Sequence, residues 1–198
     1  MSFSLTGIEY PGISALVDFS YDSSGTVNID ITNNSEPALG GAWLTGFGFN
    51  APEAVTGVGF FTGPGGWAAD FNSNGIESAQ KIGLFDVAAM TGPKVIGGNP
   101  NFGIDIGSSG AFRFTLTGKD AIFGLDQSAF LSLLSETRKG NYFPQYFFAR
   151  FQRVGADDGS DIAIPGSINP VPEPATMLLL GTGLTGLAGL GRRKLKQK

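Results

Sequence analysis

Three neighbouring carboxylates form the densest candidate metal site in the sequence. Asp157, Asp158 and Asp161 lie in the stretch ADDGSD. Calcium prefers oxygen ligands on a loop that contains glycine, so we take these residues as a candidate calcium site and expect no other cofactor. The twelve-residue EF-hand pattern is absent, and the alternative is a solvated loop between two strands.

A tryptophan in a glycine-rich loop is the candidate for ligand binding. Trp67 stands in GPGGWAADF, and such a loop can expose an aromatic ring for stacking on a sugar. Aromatic residues also dominate the cores of β-proteins. Packing in the core is therefore the alternative for Trp67, as it is for Trp43.

The composition excludes several kinds of chemistry. The chain has no histidine and no cysteine, which excludes a Ser-His-Asp triad, a Cys-His pair and a thiolate metal site. No spacing of carboxylates selects an acid pair for glycoside hydrolysis, so we expect a protein that is not an enzyme. Before Pro172 there are 8 basic and 16 acidic residues, a net charge of −8. Nucleic acid is therefore not an expected partner.

The end of the chain has three consecutive parts. The triplet Pro172, Glu173 and Pro174 comes first, the uncharged run 175–191 follows, and a basic tail, 192–198, ends the chain. As a helix, the run would be about 25 Å long, which is at the short limit for a membrane span. It is apolar or small on all sides, whereas a terminal core helix, the alternative, would have a polar face.

A membrane-spanning helix over 175–191 fixes a topology. Lysine and arginine remain on the cytoplasmic side, so Arg192, Arg193 and Lys194 would act as the membrane stop. The acidic body would then lie outside the membrane. The two prolines of the triplet would hold that segment extended and would keep the helix from continuing upstream.

This order of triplet, short span and basic terminus resembles the PEP-CTERM sorting signal. The resemblance covers about the last 28 residues, from VPEP onward. It implies export in a Gram-negative bacterium that makes exopolysaccharide, with exosortase as a partner that recognises Pro172, Glu173 and Pro174 and cleaves at or near them. It also implies an inner-membrane anchor during sorting, followed by release to the cell surface or the extracellular space.

The beginning of the sequence does not fit that resemblance. MSFSLTGIEY has no basic start and no apolar run of signal-peptide length, although members of the family begin with a secretory signal. We expect the gene to start further upstream, since SFSLTG is typical of the first strand of a mature domain. A natural truncation and an unusual export route are the alternatives.

Alternating apolar and polar residues predict an all-β body over residues 1–165. ISALVDFSY and VNIDI alternate on either side of DSSG, which predicts an antiparallel hairpin with Gly25 in its turn. Further strands are predicted in WLTGFGF, in AVTGVGFF, around Phe112, over 146–154 and near residue 160. In WLTGFGF, Trp43, Thr45, Phe47 and Phe49 are expected to share one face. This spacing predicts an antiparallel, jelly-roll-like β-sandwich.

Other stretches are predicted as a helix, loops and a linker. LDQSAFLSLLSETRKG predicts a helix of about three turns, capped by Asp126 or Ser128. TGPGGWAADFNSNG and TGPKVIGGNPNFG are predicted loops. Residues 166–174 form a proline-containing linker that includes the triplet. The chain is thus predicted to be an exported, surface- or matrix-associated protein, with a carbohydrate-binding module for secreted exopolysaccharide as the alternative.

Overall fold

The described part of the body contains ten β-strands. The computed structural model describes residues 1–78, 82–136 and 144–166. The strands are β1 (Ser2–Gly7), β2 (Ser14–Asp22), β3 (Thr26–Asn33), β4 (Trp43–Phe49), β5 (Val55–Thr62), β6 (Ala68–Glu77), β7 (Leu84–Met90), β8 (Ser109–Gly118), β9 (Phe147–Val154) and β10 (Gly159–Pro165). The one α-helix among the described residues, α1, spans Ser128–Leu131.

All ten strands belong to one sheet with the order β5-β8-β3-β2-β1-β10-β9-β4-β7-β6. Every pairing between neighbours is antiparallel. The predicted hairpin is confirmed as β2 and β3, with Ala15 opposite Asn33 and Asp22 opposite Thr26. Gly25 in its turn has a φ of 85°, a conformation that glycine adopts without a steric cost.

The sheet folds over on itself, so that its two halves pack face to face around an aromatic core. Phe19 of β2 meets Phe49 of β4 edge-on at 5.6 Å between ring centroids, and Phe47 of β4 meets Phe112 of β8 at 4.8 Å. The all-β, antiparallel prediction is confirmed. The strands form one continuous, nearly closed sheet instead of two separate ones, an arrangement that broadly fits a sandwich.

A second apolar cluster lies on the outer face of β7 and β9. Phe147 points into the main core, whereas Phe148 packs against Phe85 with 4.6 Å between the ring centroids. The members of this outer cluster are Ile76, Ile82, Phe85, Ala88, Met90, Val95, Phe148 and Ile162. Strand β7 is therefore buried on both faces.

The predicted helix over 125–140 is wrong in length. Asp126 does cap it, since its carboxylate accepts hydrogen bonds from the amides of Ser128 and Ala129 at 2.8 and 3.2 Å. Helix α1 nevertheless ends at Leu131. The reason is tertiary: the chain becomes extended and Glu136 pairs with Leu84 at the start of β7, which a continued helix would prevent.

Two further predictions need correction. The predicted loop TGPGGWAADFNSNG contains most of β6, whose register shift between Phe71 and Ile76 makes the sequence look irregular. In β4, a register shift lies between Leu44 and Gly46. Because of this shift, Leu44 shares the core with Phe47, while Trp43 is only half-buried.

Candidate functional site

Asp161 is buried and has a structural role in the body. Its carboxylate accepts hydrogen bonds from the backbone amides of Glu9 and Tyr10 at 3.1 and 3.0 Å. These bonds hold the loop between β1 and β2 against β10. A carboxylate that accepts several backbone N–H bonds is satisfied without a metal.

The other two members of the candidate calcium site lie in the turn between β9 and β10. Asp157 and Asp158 are exposed, and Asp158 has a φ of 50°. In the described part of the chain, no group of three acidic residues, histidines or cysteines is arranged to hold a metal ion. Asp161 is thus engaged with the β1–β2 loop while Asp157 and Asp158 are exposed, and calcium binding by Asp157, Asp158 and Asp161 stays a prediction.

Trp67 is packed in the core and is not exposed on a loop. Only 9% of the residue is exposed, and its ring lies edge-on to Phe112 with 4.7 Å between centroids. Its indole Nε1 donates a hydrogen bond of 2.8 Å to the backbone carbonyl of Phe102. These contacts occupy both the apolar ring and its polar tip, so nothing in its surroundings favours a sugar platform.

Arg150 is a buried charge that the sequence reasoning missed. It lies in the middle of β9, is 7% exposed, and donates a hydrogen bond of 2.6 Å from Nη2 to the Ser160 hydroxyl. Burial lowers the pKa of the guanidinium, whereas the negative charges of Asp161 and Glu9 raise it. The only sequence signal was an arginine within the otherwise apolar run YFFARF.

A polar cleft of about 310 Å³ lies beside β6 and the 3₁₀ turn Val95–Gly97. Asp70, Asn72, Glu77 and Lys94 are among its lining residues. The irregular part of β6 lines the cleft with Asn72 and Gly75. The buried Asp86 carboxylate holds this part of the strand by accepting a hydrogen bond of 2.6 Å from the amide of Asn74, and it accepts another of 2.8 Å from the amide of Ala51. The cleft has hydrogen-bonding groups of both charges and no aromatic face.

The residues with the most specific predicted role lie outside the described residues. These are the sorting triplet Pro172, Glu173 and Pro174, the predicted membrane-spanning helix over 175–191, and the stop residues Arg192, Arg193 and Lys194. Within the described residues, no helix has both the length and the apolar character needed to cross a membrane.

Comparison with known protein families finds a match at the end of the chain. Residues 170–194 match the PEP-CTERM protein-sorting motif. The matched range contains the triplet, the uncharged run and the first three basic residues of the tail. No curated protein and no solved structure matches the chain. The prediction of a C-terminal sorting signal, made from the order of these three parts, is confirmed.

Proposed function

Because the chain carries a PEP-CTERM protein-sorting motif at residues 170–194, we propose that it is an exported protein whose body reaches the cell surface or the extracellular matrix. The match to this motif is the single observation that carries the proposal. The motif implies exosortase as the processing partner and a membrane-anchored stage during sorting. The body would be the exported domain, and the last 28 residues would be its sorting signal.

We propose further that the body has a binding or structural role without catalysis. The chain has no histidine and no cysteine, so the commonest general base and the thiolate nucleophile are missing. The buried charged residues are engaged in the fold: Asp161 and Asp86 accept backbone hydrogen bonds, and Arg150 binds Ser160. Because these buried charges stabilise the fold, they support a structural or binding role for the body.

The sorting proposal predicts that changing the triplet blocks processing. The protein, with a tag at each end, would be expressed with a secretory signal in a host that contains an exosortase. We expect the C-terminal tag to be lost from the exported wild type. Changing Pro172, Glu173 and Pro174 together to alanine should retain the tag, because the alanines remove both the charge and the extended prolines. Immunoblots of membrane and extracellular fractions measure both tags.

The chain offers a matched control for this experiment. Pro52 and Glu53 form another Pro-Glu pair, in the loop after β4, where Glu53 is exposed. Changing both to alanine should leave processing unchanged. If the triplet variant is processed as fast as the wild type, or if the wild type keeps its C-terminal tag in the exosortase host, the sorting proposal is wrong.

A further inference from the structure

Strand β6 contains a four-residue segment, 72–75, that has no paired partner on β7. The register between the two strands runs up to Phe71 and resumes at Ile76, so the segment stands opposite Asp86 alone. It has the sequence Asn-Ser-Asn-Gly, and three of its four residues are exposed. Hydrogen bonds between strands fix the backbone of a paired strand. The 72–75 segment lacks that ladder, and its backbone can rotate without breaking it.

Asn74 is the asparagine of this segment that precedes a glycine, and the pair Asn-Gly occurs once in the sequence. Its φ is 49°, a left-handed conformation that asparagine adopts more readily than most residues. Its backbone amide donates the hydrogen bond of 2.6 Å to Asp86. Its side-chain amide is exposed and has no hydrogen-bond partner within the described ranges. The side chain is therefore open to reaction with the neighbouring backbone and with water.

We infer that Asn74 is a site of spontaneous deamidation in the folded protein, with water as the co-reactant. The backbone nitrogen of Gly75 attacks Cγ of Asn74, and the Cγ–Nδ2 bond breaks. The amide proton of Gly75 leaves with Nδ2 as ammonia, so that a cyclic succinimide remains. Water then opens the ring at one of its two carbonyl carbons, which gives aspartate or isoaspartate at position 74. No atom is oxidised or reduced in either step.

The fold favours this reaction at position 74 over other asparagines. Gly75 has no Cβ to hinder the approach of its nitrogen, and glycine permits the backbone rotation that the attack requires. Asn28 in β3 is a contrasting case, because it is paired with β2 on one side and with β8 on the other. Rotation there would break hydrogen bonds to both neighbouring strands. Exposed turns with small and polar residues are where chains tolerate such changes.

Both products place a new carboxylate beside Asp86. The backbone nitrogen of residue 74 lies 2.6 Å from the Asp86 carboxylate, and in isoaspartate the new charge is carried by the Cα next to that nitrogen. Like charges this close repel each other, and Asp86 is buried, where screening is weak. Isoaspartate also adds a methylene group to the main chain. Deamidation should therefore loosen the 72–75 segment and, with Asn72 and Gly75, the lining of the polar cleft.

Peptide mass spectrometry of aged protein tests the inference. The full-length protein, kept in detergent micelles, would be incubated at mildly alkaline pH below its thermal transition and then digested. Chromatography separates the asparagine, aspartate and isoaspartate forms of the peptides that cover residues 72–75. We expect Asn74 to convert several-fold faster than Asn72, the matched control, which is exposed in the same segment but precedes a serine. Equal conversion of the two asparagines overturns the inference.

Two further measurements separate the role of the fold from that of the sequence. The same incubation in guanidinium chloride gives the rate for the unfolded chain, and we expect the folded protein to react at a similar rate. A folded-state rate lower by about an order of magnitude would show that the reaction waits for unfolding, and the inference would be wrong. Asn74→Asp should lower the urea midpoint of the body, whereas Asn72→Asp should leave it nearly unchanged. Equal midpoints for these two variants would refute the predicted loosening.

Discussion

Glycine at position 48 is required by the outer cluster. A Cβ atom at this position would lie 2.5 Å from a ring carbon of Phe148 and 3.0 Å from the carbonyl oxygen of Val87. Phe148 is fully buried, so its ring has little room to move away. The GFGF pattern of β4 thus places phenylalanines on the core face and leaves the opposite face open for Phe148.

Gly48→Ala should therefore destabilise the protein. The methyl group overpacks the cluster, and we expect a loss of about 1–3 kcal/mol in the free energy of unfolding, measured by urea denaturation. Gly65→Ala is the matched control, because no atom lies within 4 Å of a Cβ built there, and it should change stability by less than about 0.5 kcal/mol. Equal effects of the two substitutions would contradict this account of Gly48.

The fold raises the pKa of two tyrosine phenols, those of Tyr21 and Tyr146. Burial raises the pKa of the Tyr21 phenol, and the charge of Asp22 raises it further. The hydroxyl of Tyr21 donates a hydrogen bond to the backbone carbonyl of Ile122. Burial also raises the pKa of Tyr146, whose ring lies edge-on to Phe3 at 5.4 Å between centroids.

These shifts predict a loss of stability in alkali. A raised pKa in the folded protein gives stability that is complete below the unfolded value of about 10 and is lost as the pH rises through the folded pKa. Tyr21→Phe and Tyr146→Phe should each reduce that alkaline loss. Tyrosinate absorbance is measured as the pH is raised. The difference between the wild type and each variant gives the titration midpoint of the tyrosine that the variant lacks. A midpoint no higher than that of the urea-unfolded chain would refute the prediction.

At the scale of elements, the alternating strands β2, β3 and β8 were predictable from their pattern, whereas β7 and the irregular β6 were missed. β2 and β3 bury one face, so their period of two is visible in the sequence. All seven residues of β7 are buried, because both of its faces pack against apolar clusters, and its pattern therefore lacks alternation. In β6, the residues Asn72–Gly75 are typical of a loop, yet here they form a bulge held by Asp86.

The candidate sites likewise differ in whether a short stretch of sequence is enough to identify them or whether contacts between distant residues decide their role. The sorting motif is a continuous stretch whose order of parts is readable without a fold, and the family comparison confirms it. The environment of Trp67 depends on Phe112 and Phe102, which lie far away in sequence. A Gly-rich flank fits both an exposed ring and a buried one. Sequence reasoning could not decide between them.

At the scale of the whole molecule, the two ends of the body meet in the sheet. β1 pairs with β10, with Leu5 opposite Pro165 and Gly7 opposite Ala163. β10 also pairs with β9, so it joins the two halves of the strand order. The body is therefore complete only once residues up to Pro165 have been made, and the sorting motif begins soon afterwards, at residue 170.

This arrangement predicts that a chain ending at Gly166 folds by itself, whereas a slightly shorter chain does not. Residues Met1–Gly166 form one compact unit with all the strand pairings described above, so truncation after Gly166 should leave one cooperative thermal transition. Truncation after Asp158 removes β10, exposes the facing edges of β1 and β9 and opens the core. We expect the Asp158 truncation to show no cooperative thermal transition when its melting is followed by circular dichroism. If the Asp158 truncation melts like the Gly166 truncation, β10 does not close the sheet. If the Gly166 truncation is unfolded, the body needs the residues that follow.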